Sequence, residues 1–223
     1  MASKSSSKKS ICILILILFI FHQANAHVVV NELSQMSKSS ISLEYLKLGY
    51  LHILPLGLDH ILFILSLSLL NPKLKTIFLQ ASIFTLAHSI TLGLAMFKVF
   101  MLPPVIVEPL ISASIVIVAL GNIFSKKLNS SRLAVVFLFG LIHGMGFAGA
   151  LGSLGLPKET YLLGLIMFNI GVELGQITII IISYLLLVKW LGKHVDYSKY
   201  IVLPISIGIA IIASYWTIER LFF

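Results

Sequence analysis

Thiol chemistry is nearly absent from this sequence. Of 223 residues one is cysteine, Cys12, which leaves no disulfide framework, no CxxC pair and no thiolate cage for a metal. Charge is scarce as well. Only 11% of the residues are Asp, Glu, Lys or Arg, against roughly 25% in soluble domains. A chain with so little charge has no adequate surface to show to water. The nucleophile-elbow pattern GxSxG and the zinc-peptidase pattern HExxH do not occur, so neither motif favours catalysis. Alternation of polar and apolar positions is also missing, which argues against a transmembrane β-barrel.

What is present is apolar. Hydrophobic residues make up 58% of the chain and the mean hydropathy is +1.05. The net charge is +8, with a pI near 9.6. No basic-aromatic pattern of a nucleic-acid reader accompanies that charge, so no nucleic-acid partner is expected. Cationic loops facing anionic lipid explain it instead, with the lipid bilayer as the partner.

The first 26 residues read as a cleavable signal peptide. Lys4, Lys8 and Lys9 lie in a Ser-rich start, an apolar run spans Ile11 to Phe21, and Ala24-Asn25-Ala26 forms an A-x-A cleavage site. An uncleaved signal anchor is the alternative. Cleavage after Ala26 removes Cys12 and makes His27 the mature N-terminus. Its α-amine and imidazole then form a candidate chelating pair, unless a histidine beside a cleavage site is incidental. Residues 27–46 are mixed and polar and read as a short external segment.

Residues 47–223 read as one all-α membrane domain, a polytopic bundle of six transmembrane helices. Apolar stretches run at about 48–70, 76–97, 105–124, 133–153, 161–188 and 200–219, each near the ~20 residues that cross the hydrocarbon core. Asn71-Pro72, Pro103-Pro104, Asn129-Ser130-Ser131 and Pro157 punctuate them. Starting from outside, the inner loops hold Lys73 and Lys75, then Lys126, Lys127 and Arg132, then Lys189, Lys193 and Lys199. The outer loops hold Lys98 and the Lys158-Glu159 pair. That asymmetry obeys the positive-inside rule and agrees with the signal peptide. The expected location is the plasma (inner) membrane, with the mature N-terminus and the C-terminus outside.

Ionisable residues inside the spans carry the chemical information. Span one holds His52, Asp59 and His60. His52 and Asp59, seven apart, share a helix face, and Pro55 and Gly57 between them predict a kink or local unwinding. Span two holds Thr85, His88 and Ser89 as a polar stripe. Span three carries Glu108, Ser112 and Asn122 close to one face. Span four holds His143 among glycines that allow close helix approach. Span five aligns Asn169, Glu173 and Gln176. Asp59, His60, His88, His143 and Glu173 fall near mid-span, with His52 and Glu108 nearer the outside. A charged group at the bilayer centre costs several kcal/mol on insertion scales. Five such residues on four helices are therefore expected to face one another. Imidazole with carboxylate and no thiolate suits Ni²⁺, Co²⁺, Zn²⁺ or Cu²⁺ better than Mg²⁺ or Ca²⁺. Asp59 beside His60, and Glu173 near Asn169, are candidates for setting an imidazole tautomer. Asn122, Gln176, Thr85 and Ser112 serve equally well as hydrogen-bonding glue between helices.

Four segments resemble the HupE/UreJ family of membrane proteins. They are His52-Ile53 through Gly57-Leu-Asp59-His60-Ile-Leu-Phe63, then Phe84-Thr85-Leu-Ala-His88-Ser89-Ile-Thr91-Leu92. Gly140-Leu-Ile-His143-Gly144-Met-Gly146-Phe147-Ala148 and Phe168-Asn169-Ile-Gly171-Val-Glu173-Leu-Gly175-Gln176 follow. The resemblance covers about residues 48–185. It implies a small secondary permease for nickel or cobalt, with the metal as substrate and no tightly bound cofactor. Carried over residue by residue, it implies His52, Asp59, His60, His88, His143 and Glu173 as the metal path. Glu108, Ser89, Asn169, Gln176 and His27 are then supporting or path residues. The rival reading is an intramembrane zinc-dependent hydrolase, with three histidines holding the metal and Asp59 or Glu173 as general base.

Overall fold

The computed structural model describes residues 37–125, 128–147, 158–193 and 195–223. The signal peptide and His27 lie outside the described residues, as does the first half of the segment at 27–46. Every regular element among the described residues is helical, and none is a strand. In chain order these are α1 (Lys38–Ile53), α2 (Leu58–Leu69), α3 (Leu74–Met96), α4 (Pro104–Phe124), α5 (Ser130–Gly146), α6 (Tyr161–Ser183) and α7 (Leu203–Phe222). Helix α6 continues through a π-helical stretch, Tyr184–Trp190, and a shorter one, Ser198–Val202, leads into α7.

The expected first span is corrected at its start, while the break expected at Pro55 and Gly57 is found. Helix α1 starts at Lys38, ten residues before the predicted apolar run, so part of the supposed external segment is helical. Ser37 caps it by accepting from the Ser40 amide. Low hydropathy hid this turn, although Ile41 and Tyr45 are fully buried. The span then breaks. α1 and α2 meet at a 68° bend, where Leu54 is extended and Pro55 denies the helix a donor.

Helices α3, α4, Tyr161–Trp190 and Ser198–Phe222 are each long and apolar enough to cross a membrane, and α1 with α2 makes a fifth candidate. Helix α5 has 17 residues against the ~20 of a full crossing. The predicted extension of that span to residue 153 falls outside the described residues.

Packing is pairwise. α1 and α6 run in the same direction, with Gly171 against the Leu46 carbonyl and Gly175 against Ile53. A Cβ at Gly49 would collide with the Phe168 backbone, so the two helices touch through main chain. α3 and α5 also run in the same direction, with Gly140 on Phe84 and Gly144 on His88. α4 and α7 run oppositely, since Glu108 at the start of one meets Arg220 at the end of the other. Tyr45, Phe63, Phe84 and Phe168 fill the centre and are fully buried. The outer surface is aliphatic, with Leu86, Ile117, Leu162 and Ile211 all exposed, as suits a bundle whose solvent is hydrocarbon.

Candidate metal centre

The broken helix builds the site. His52 and His60 are eight positions apart, so a continuous helix would hold them about 12 Å apart along its axis. The bend brings their ring centroids to 4.5 Å. Gly57 makes this possible, because a Cβ there would strike the His52 carbonyl oxygen. His88 arrives from α3, with its ring centroid 6.1 Å from each of the other two. One ligand nitrogen from each of His52, His60 and His88 then lies within 4.8 Å of the others. This is the only such group among the described residues.

His143 of α5 stands next to it, its ring 5.1 Å from that of His60. Its Nε2 lies 3.0 Å from Ser114 Oγ, and Ser114 donates its own proton to the Ile111 carbonyl at 2.6 Å. The ring nitrogen must therefore donate to Ser114, which leaves Nδ1 with a free lone pair. Ser114 was not singled out from the sequence. Ser112, which was, bonds back to the Pro109 carbonyl of its own helix.

The histidine nitrogens are short of partners. His52 Nε2, His60 Nε2, both nitrogens of His88 and His143 Nδ1 are buried without a hydrogen bond among the described residues. An unsatisfied buried polar group costs about 1–3 kcal/mol. Five lie in one space, walled by Phe63, Phe84, Phe147 and Phe168, and form a candidate ligand site. Clustered imidazoles without thiolate suit a divalent transition ion.

A vestibule of about 570 Å³ reaches this group, with His52, His60 and His143 among its walls. Asp59, Glu108 and Arg220 line its more exposed end. Asp59 does not share a face with His52. The bend ends the helix that the spacing argument assumed, and Asp59 turns to Arg220 instead. Arg220 Nη2 donates to both of its carboxylate oxygens, at 3.0 and 3.2 Å. Arg220 Nη1 donates to the Glu108 carbonyl at 3.2 Å and lies 3.5 Å from its carboxylate. Arg220 was missed because it falls just beyond the last predicted span, where a cation reads as an end signal.

Glu173 does not join the histidines either. It accepts from Ser82 at 3.5 Å, in a seam between α3 and α6. There Thr85 also donates to Gln176, and Ser89 to Asn169, at 3.1 and 2.7 Å. Gln176 is thus engaged with a hydroxyl, and Asn169 takes the Ser89 hydroxyl while also lying beside the His88 ring. Neither Asp59 nor Glu173 orients a histidine by a hydrogen bond, contrary to the tautomer-setting role expected of them.

An aliphatic helical bundle with ionisable groups turned inward defines an integral membrane protein. Within that class the chain belongs to the HupE/UreJ family: the model of the family described as HupE / UreJ protein matches residues 13–220. The family is associated with metal transport. No curated protein and no solved structure matches the chain.

Proposed function

We propose that the protein is a permease for a divalent transition metal of the nickel or cobalt type, importing it from outside to the cytoplasm. One observation carries the reading: three imidazoles from α1, α2 and α3 converge with free nitrogens, and two of them, His52 and His60, line a vestibule. His52, His60 and His88 are the ligands, and His143, held by Ser114, is a fourth donor at their side. Uncharged ligands bind a divalent ion without neutralising it, which favours release as well as capture.

Six crossings from an outside N-terminus, in the plasma (inner) membrane, remain the proposed topology. The helix directions support it. Crossings one and five run together, as do two and four, while three and six oppose. A six-pass chain requires these relations. The hydrolase reading assigns Asp59 or Glu173 as general base, and both are engaged elsewhere, Asp59 by Arg220 and Glu173 by Ser82.

The test is uptake of Ni²⁺ and Co²⁺ into cells or vesicles containing the protein. Accumulation above empty vesicles, lost in His60→Ala, is expected. Equal accumulation with and without the protein would sink the permease reading.

A further inference from the structure

The vestibule holds an opposite charge that a cation path does not obviously need. Arg220 lies between Asp59 and Glu108, with its guanidinium also 5.7 Å from the Trp216 ring. Its contacts tie α7 to α2 and α4. The side chains of Asp59 and Arg220 are each about a quarter exposed and Glu108 is more open still, whereas His60 and His143 are buried. The three charged groups therefore stand on the open side of the histidines. Asp59 is the immediate chain neighbour of His60.

We infer that Arg220 determines specificity by occupying the vestibule carboxylates, which denies the entrance to oxygen-seeking divalent cations such as Mg²⁺ and Ca²⁺. The inference rests on the reading of the histidine group as a metal site. Two carboxylates with water and backbone carbonyls form a hard-ligand set, and open sites of that kind hold Ca²⁺ at roughly 10⁻⁴–10⁻³ M. The guanidinium fork spreads its two Nη groups over the two carboxylates, Nη2 on Asp59 and Nη1 by Glu108, and cannot lose its charge. While it sits there, a hard cation finds no free oxygen pair and meets a positive neighbour. A transition ion loses little by the same arrangement, because its preferred nitrogen ligands lie deeper.

The experiment measures Co²⁺ binding to the purified full chain by its visible absorption, with and without millimolar Ca²⁺ or Mg²⁺. Wild-type affinity should change by less than about twofold. In Arg220→Gln, Ca²⁺ should weaken Co²⁺ binding by about tenfold through repulsion from the newly filled carboxylate pair. Adding Asp59→Asn and Glu108→Gln should abolish that sensitivity. Arg220→Lys keeps the charge but not the fork, and should show an intermediate effect of about threefold. This variant carries the test should Arg220→Gln fail to fold. Insensitivity of every Arg220 variant, with Co²⁺ still bound, would overturn the inference alone. A wild type that binds no Co²⁺ would overturn it together with the metal site beneath it.

Discussion

Two polar layers meet on helix α3, one residue apart. His88 belongs to the imidazole group; neither of its ring nitrogens makes a well-formed hydrogen bond among the described residues, and Asn169 is the one side chain that approaches it. Ser89 belongs to the seam with α6, where hydroxyls on α3 meet Asn169, Glu173 and Gln176. Apart from Gln176 Nε2, no buried polar atom of that seam is left over. In hydrocarbon a polar side chain either finds another protein group or needs something brought from outside. The seam is the first case and holds helices together. The histidine layer is the second, and its unmet valence is what the proposed function draws on. Both layers look alike in the sequence, as ionisable or amide residues at mid-span.

The sharpest way to break this contrast is His88→Ala. Co²⁺ affinity of the purified protein should fall by more than about 100-fold, beyond the effect of losing a supporting hydrogen bond, while detergent-resistant folding is retained. Unchanged affinity would show that the orphaned nitrogens are not ligands. Ser114→Ala should be milder. It frees the His143 ring without removing it, and a loss of about 10–100-fold in affinity is expected by equilibrium titration. The smallest effect belongs to the seam. Thr85→Val should leave Co²⁺ affinity within about twofold and cost about 0.6 kcal/mol in a denaturant titration, the usual worth of an interhelical hydrogen bond in a membrane protein. A large affinity loss there would merge the two layers into one.

Most helix positions could be read from hydropathy, because α3, α4, α6 and α7 are long uninterrupted apolar runs. The start of α1 could not. Its inward side chains, Ile41 and Tyr45, are diluted by Lys38, Glu44 and Lys47 on the same turns. The convergence of the histidines was legible because an imidazole at that depth must turn toward other protein groups rather than lipid. The carboxylates were harder. Asp59 was matched to His52 by helical spacing, and the Pro55–Gly57 break cancels that spacing. Glu173 was correctly aligned with Asn169 and Gln176, but the face they share is the one that meets α3. Arg220 and Ser114 needed the tertiary structure, since each acts only on residues far away in the chain.

Helix α2 is short, twelve residues, and the chain leaves its axis at both ends. Asp59 and His60 are adjacent on it, so their side chains leave the axis about 100° apart. One direction leads to the guanidinium and the other to the imidazoles. A small roll of this rod cannot tighten or loosen one of these contacts while the other stays as it was. The entrance charge and the position of one nitrogen donor are consequently a single mechanical coordinate, read at two neighbouring residues.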